Sequence, residues 1–321
     1  MLHRPNALDR RTALKTLGAL ALWPICRPAE ASAYEELDLD WHDNARQRPV
    51  PVRLYLPKTA SPARPVPLIV FSHGIGGSRR GYRYLGTHWA QQGWASLHLQ
   101  HVGSDRALWG GSPWSLLGRL HAAAQDAEAI SRAKDLSFAL DRILAGEHGE
   151  RLDGGRIVAA GHSYGANTTL LATGARVERE GQPVDLTDPR LRAAIVISAP
   201  PFYGEGEMPR ILSRVTVPSL HITATDDVIR IPGYYSGLED RIAVFEATGS
   251  RRKMLAVFEG GSHSIFTDRG GTGGVALNPK VKAATQDLSA AFLRSVFDGD
   301  DAALSTWPQR HAELVSRFIV A

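Results

Sequence analysis

Residues 159–169 read "AAGHSYGANTT". Gly161 and Gly165 flank Ser163 at two-residue spacing, after the run Arg156–Ala160 and before the small, apolar stretch Gly165–Thr173. One reading is an ordinary strand-to-helix turn. The other is a serine forced into a strained bend that exposes its hydroxyl. A serine hydroxyl is a poor nucleophile at neutral pH. It needs an imidazole within hydrogen-bond reach, and that imidazole needs a carboxylate to set its tautomer. The choice between the readings turns on whether the chain supplies both.

Outward from the motif, strands and helices alternate. Glu35–Trp41 and Val50–Leu56 alternate polar and apolar residues, as paired antiparallel strands do. Pro67–Phe71 is a continuous apolar run, expected of a strand buried on both faces. The glycine-rich "SHGIGGS" follows, then a helix from Tyr82 to Gln92 and a strand over Trp94–Leu99. Ala122–Leu144 carries apolar residues near the helix period. Ala193–Ser198, Ser219–Thr223 and Met254–Phe258 are three more short apolar strands. Helices over Val281–Val296 and Ala302–Ile319 close the chain. This alternation predicts a mostly parallel sheet with helices on both faces. Segments near 102–121, 174–191 and 199–217 are too long for plain loops and are expected to be insertions. Those at 102–121 and 199–217 follow strand carboxyl ends, where open α/β sheets build their sites.

Charge excludes little by itself. The chain has 321 residues and net charge +4, with an isoelectric point near 9.3. Removing residues 1–33 takes away five basic and two acidic side chains and leaves 32 basic against 31 acidic. The basic excess belongs to the leader, which argues against a nucleic-acid surface. That leader carries Arg10-Arg11, a short apolar stretch and Ala31-Ser32-Ala33. It resembles a twin-arginine export signal cut after Ala33, which implies a periplasmic or secreted mature chain, residues 34–321, forming one domain. The apolar stretch is too short to span a bilayer. The only cysteine, Cys26, lies in the leader. The mature chain is therefore expected to have no disulfide, cysteine nucleophile or thiolate metal site.

The partners that Ser163 requires occur later in the chain. Asp226-Asp227 ends the strand "VPSLHITAT", and His263 lies in a loop after "MLAVFEGGS". Serine, acid and histidine thus fall at three strand ends in sequence order. The nucleophile elbow G-x-S-x-G requires the same strand–turn–helix context that surrounds Ser163.

With "GHSYGA" and "VFSHGIGGSRRGYRYLGTHWAQQGWASLHLQHVGSD", residues 50–300 resemble the α/β-hydrolase family. Within it they are similar to bacterial dienelactone-hydrolase-like proteins and secreted platelet-activating-factor acetylhydrolases. The resemblance implies an α/β-hydrolase fold and a serine hydrolase acting on carboxylic esters, short- to medium-chain ones, through an acyl-enzyme. It implies Ser163, Asp227 and His263 as catalytic residues, Asp227 because the family's acid stands nine residues after a proline, here Pro218. A one-residue bulge would substitute Asp226. The resemblance further implies an oxyanion hole from the backbone N–H groups of Ile75 and Tyr164, with no metal or cofactor. Ser163 stands where dienelactone hydrolases proper have cysteine, so their substrate does not carry over.

Other readings stay open. A lipase or polyester depolymerase would need an exposed apolar groove or lid, and the same residues would also cleave lactones or thioesters. An inert scaffold that binds a ligand is the alternative of another class. His98 and His101, three apart on a strand, point to opposite faces and do not suit a shared metal. His73 and His162 read as structural groups beside the site. Trp109, Trp114, Phe202 and Tyr203 either wall an acyl pocket or bury one another.

Overall fold

A computed structural model describes residues 32–231, 233–269 and 274–321. The twin-arginine reading falls on residues 1–31, outside the described residues. From the N-terminus the strands are β1 (Tyr34–Asp43), β2 (Arg48–Pro57), β3 (Val66–Ser72) and β4 (Ala95–Leu99), with α1 (Arg83–Gln91) before β4. Next come α2 (Leu116–Ala123), α3 (Asp126–Ala145), β5 (Leu152–His162) and α4 (Tyr164–Thr173). The hairpin β6 (Arg176–Arg179) and β7 (Gln182–Asp185) precedes β8 (Leu191–Ile197), α5 (Met208–Leu212) and β9 (Ser219–Asp226). A second small hairpin, β10 (Ile229–Ile231) and β11 (Tyr234–Ser236), leads to α6 (Leu238–Ala247) and β12 (Lys253–Ser262). The chain ends with α7 (Leu277–Asp298), α8 (Ala302–Arg310) and β13 (Val315–Val320).

The central sheet has the order β1-β2-β4-β3-β5-β8-β9-β12-β13. From β4 to β12 neighbouring strands are parallel; the pairs β1–β2, β2–β4 and β12–β13 are antiparallel. Every residue of β3 is buried, and its side chains divide by parity, as a period of two requires. Ile69 and Phe71 join a core with α1, α7 and α8. Leu68 and Val70 join another with Leu136, Leu140 and Ile143 of α3. Helices therefore cover both faces.

Two sequence readings need correction. Ala122–Leu144 is not one helix: α2 stops at Ala123, Gln125 is extended, and α3 starts at Asp126. Asp126 and Glu128 in the first turn of α3 favour a new start there, because carboxylates are stabilised by a helix N-terminus. Nor is Ala302–Ile319 one helix. It ends at Arg310, and Val315–Val320 pairs antiparallel with β12. Val315, Phe318, Ile319 and Val320 suit a pleated edge, and the open edge of β12 supplied a partner that local periodicity could not register.

Packing at the motif is backbone on backbone. A Cβ on Gly165 would lie 1.9 Å from the carbonyl oxygen of Ser72, and one on Gly161 would lie 2.1 Å from that of Gly165. The start of α4 thus presses on the end of β3 with no room for a methyl group. We expect Gly165→Ala to lower the urea midpoint by the equivalent of about 3 kcal/mol or to prevent folding. Gly154→Ala, where nothing lies within 4 Å of the added Cβ, should leave the midpoint nearly unchanged.

Candidate active site

Ser163 sits between β5 and α4 with φ 56° and ψ −124°. This is a left-handed-side backbone conformation that non-glycine residues rarely adopt and that concentrates at functional sites. Its N–H donates to the Ile197 carbonyl at 2.8 Å, which continues the β5–β8 ladder. Its carbonyl accepts from the N–H groups of Ala166 and Asn167. With both backbone groups engaged, the turn is clamped at its tip.

His263 follows β12, whose pairing with β9 shifts register between Phe258 and Ser262. Gly260, at φ 72°, and Gly261 lie in that irregular stretch; a Cβ on Gly261 would press on Ala224 at 2.8 Å. The small residues let β12 close on the end of β9. Nδ1–H of His263 donates to Oδ1 of Asp227 at 2.6 Å, and Ser163 Oγ lies 2.8 Å from His263 Nε2. The carboxylate fixes the proton on Nδ1 and leaves the Nε2 lone pair facing the serine hydroxyl.

Asp227 is fully buried, whereas Asp226 is exposed. Consecutive residues at a strand end point to opposite sides, so one of the pair faces His263. Thr223 Oγ1–H donates to Oδ2 of Asp227 at 2.7 Å, and Arg241 Nη2 lies 3.3 Å from Oδ1. Burial alone would raise the Asp227 pKa. The hydrogen bond from His263 and the Arg241 charge outweigh it and hold the carboxyl below its usual range.

In the glycine-rich loop after β3, backbone donors can be accounted for one by one. The Gly74 N–H donates to Tyr82 Oη, the Gly76 N–H to the Ser104 carbonyl, and the Gly77 N–H to the Gly74 carbonyl. Between them, the Ile75 N–H takes no protein acceptor among the described residues. The Tyr164 N–H opens α4, where no intrahelical acceptor exists. Both residues line one cavity together with Ser163.

That cavity measures about 480 Å³. Ser163, Tyr164, Asn167 and Leu171 form its wall along α4; Leu117 and Leu120 of α2, Ile130 of α3, Val177, Leu186, Phe202 and Tyr203 are among the residues that line the rest. Leu171 lies eight residues beyond Ser163, about 12 Å along the helix. Arg179, Asp126 and Glu205 bring charge to the lining, and Arg179 is ion-paired to both carboxylates. Phe202 and Tyr203 are therefore wall residues. Trp109 is half exposed, with its Nε1–H on the Gly76 carbonyl. Trp114 is 96% exposed and does neither of the things expected of it.

Beneath the glycine-rich loop lies a polar network that sequence reasoning missed. Ser72 Oγ is 3.0 Å from His101 Nε2, and His101 Nδ1 is 3.1 Å from Oδ2 of Asp135. All three residues are completely buried. Asp135 is also paired with Arg46 and Arg48. Arg132, buried too, donates to the His73 carbonyl, to Ser104 Oγ and to Thr168 Oγ1, and its guanidinium lies 4.5 Å from the Tyr164 ring centre. His98 bonds separately to Ser96 and Gly81. Among the described residues, no group of three or more His, Cys, Asp or Glu side chains is placed to hold a metal. No helix among them is long and apolar enough to cross a membrane.

Residues 51–108 match the family model of platelet-activating factor acetylhydrolase, isoform II. A platelet-activating factor acetylhydrolase of Canis lupus familiaris is 30% identical over 139 residues, which is 33% of this chain and 31% of that protein. The chain thus matches about a third of the length of this curated relative. Among solved structures, a ferulic acid esterase from Streptomyces cinnamoneus is similar over 87% of this chain and 94% of its own, with 23% identity and TM-score 0.60. This chain has the α/β-hydrolase fold. A cold-adapted esterase from an Arctic intertidal metagenomic library, at 19% identity and TM-score 0.51, covers 74% of this chain and 88% of its own.

The α/β-hydrolase core here buries His73, His98, His101, His162 and His221. Burial pushes the pKa of His98, His162 and His221 down to about 3, and drives those of His73 and His101 well below the ordinary histidine value. Unfolded, each ring takes up a proton near pH 6.5. The folded pKa is the lower one, so the stability these rings contribute is fully present above about pH 6.5 and is lost as pH falls towards 3. Each contributes a slope of up to about 1.4 kcal/mol per pH unit. We expect the urea midpoint to fall steeply between pH 7 and 5. In His221→Gln the slope should flatten by about one proton's worth.

Proposed function

We propose that this chain is a serine hydrolase that cleaves carboxylic esters. The observation that carries the reading is the hydrogen-bonded line Ser163–His263–Asp227, with its serine on a strained turn that opens into a mostly apolar cavity. The esterase and acetylhydrolase names of the similar proteins support it. His263 Nε2 takes the Ser163 proton while Oγ attacks the ester carbonyl carbon. The negative charge that develops on the carbonyl oxygen is held by the Ile75 and Tyr164 N–H groups. His263 gives the proton to the alcohol as the carbon–alkoxy bond breaks; it then takes a proton from water whose oxygen attacks the acyl carbon, and passes that proton to Ser163 Oγ as the acid leaves. Asp227 remains ionised and orients the ring.

The cavity along α4 suits a short- to medium-chain acyl group. A second reading, a lipase or polyester depolymerase, is favoured by Leu117 and Trp114, which stand exposed in the segment that walls the cavity. Export and removal of the leader after Ala33 are proposed from residues 1–33 alone; N-terminal sequencing of the exported protein tests them.

Hydrolysis of p-nitrophenyl esters from acetate to dodecanoate tests the central reading. Ser163→Ala should abolish turnover. Asp227→Asn should lower kcat by about 10³–10⁴-fold, and Asp226→Asn should stay within about twofold of wild type. Leu171→Trp should move the optimum to shorter chains. A wild type inert towards every ester, or Ser163→Ala as active as wild type, would overturn the proposal.

A further inference from the structure

The histidine that precedes Ser163 has no part in the chemistry proposed above, yet it is buried against all three parts of the site. Its Nε2 lies 3.0 Å from the carbonyl oxygen of His263, and its Nδ1 lies 2.8 Å from Tyr82 Oη. Tyr82 Oη in turn accepts from the Gly74 N–H at 3.3 Å. The two ends of this chain fix its direction. A backbone carbonyl only accepts, so His162 Nε2 carries the proton. In a neutral ring Nδ1 then accepts, so Tyr82 gives its hydroxyl proton there and has lone pairs left for Gly74. Every donor and acceptor in the chain is used once in the one consistent sense.

Tyr82 shows a second, independent sign of selection for place. It caps the N-terminus of α1 at φ 58° and ψ 32°. For a bulky side chain this is a genuine outlier, and such strain persists only where the surroundings over-determine it. Its ring packs on Phe71 at 4.7 Å and on His162 at 5.5 Å between centres. The strained backbone delivers the hydroxyl to the one spot between the glycine-rich loop and His162.

We propose that Tyr82 and His162 are positioning residues, and that the buried chain from Gly74 through Tyr82 and His162 to His263 locks the glycine-rich loop, the Ser163 turn and the His263 loop into one relative placement. The inference rests on Ser163 and His263 acting as nucleophile and base. Its effect is on the geometry of the reacting groups, where small displacements cost rate. The cavity walls that hold the rest of a substrate are not part of the chain. Burial pushes the His162 pKa down to about 3, so the ring is neutral at pH 7 and the direction of the chain holds there.

A double-mutant cycle tests this. For Tyr82→Phe, His162→Leu, His162→Gln and the double variant Tyr82→Phe/His162→Leu, two rates are measured. One is kcat per site titrated with a fluorophosphonate, and the other is the rate of Ser163 modification by that probe. Tyr82→Phe removes only a hydroxyl and should lower both rates about tenfold with KM within about twofold. His162→Gln keeps a donor and an acceptor and should retain more activity than His162→Leu. If the chain acts as one unit, the double variant loses little more than the worse single variant, whereas with independent roles the two single losses multiply. A Tyr82→Phe rate equal to wild type, a raised KM with unchanged kcat, or multiplicative losses would overturn the inference. Should His162→Leu not fold, the cycle is run with His162→Gln and the same criteria hold. Failure of the hydrolase reading itself is distinct: there, wild-type Ser163 would not react with the probe.

Discussion

The close approach of α4 to β3 is the constraint on which the site depends. The backbone of Gly165 lies against the Ser72 carbonyl, and Gly161 lies against Gly165. That contact leaves the chain between β5 and α4 one way to turn, and the turn costs Ser163 an unfavourable φ. The ladder bond to Ile197 and the first-turn bonds of α4 hold it there. The hydroxyl that results stands at the carboxyl edge of the sheet, where the ends of β9 and β12 also arrive.

The interior of this molecule holds two polar networks. Around Ser163 the ionised Asp227 is compensated by Thr223, Arg241 and His263, so a charge survives in the interior. Around the glycine-rich loop charge is buried as well, with Asp135 ion-paired to Arg46 and Arg48. Uncharged histidines, a buried arginine and Asp135 exchange hydrogen bonds among themselves and with backbone carbonyls. The second set gives rigidity to a loop that has little side-chain bulk of its own. Glycines make the loop able to adopt its shape, and the network beneath it makes that shape the one adopted.

Much of this was legible in the sequence. The motif at 161–165, the apolar runs and the order serine, acid, histidine led to the sheet and to the residues that the structure brings together at its carboxyl edge. What was not legible depends on neighbours distant in sequence. Val315–Val320 became a strand because β12 had an open edge, and periodicity within the segment could not say so. The break between α2 and α3 was signalled by Asp126 and Glu128, an acidic helix start that the longer apolar pattern obscured. Of the four aromatic residues in the insertions, two line the cavity and two do not, because insertion geometry is decided by packing and not by composition. Tyr82 gave no local sign at all. Its hydroxyl matters through His162, 80 residues away.

The buried line Ser72–His101–Asp135 has the same residue types and the same ring nitrogens as Ser163–His263–Asp227, all within hydrogen-bond distance. One is sealed beneath the sheet's edge, and the other opens on a cavity. A survey that recognised hydrolases by matching three side chains against a geometric template would count two active centres in this chain. Interatomic distance is therefore an incomplete descriptor of a serine hydrolase. The missing coordinate is whether a carbonyl carbon and a water molecule can reach the oxygen atom.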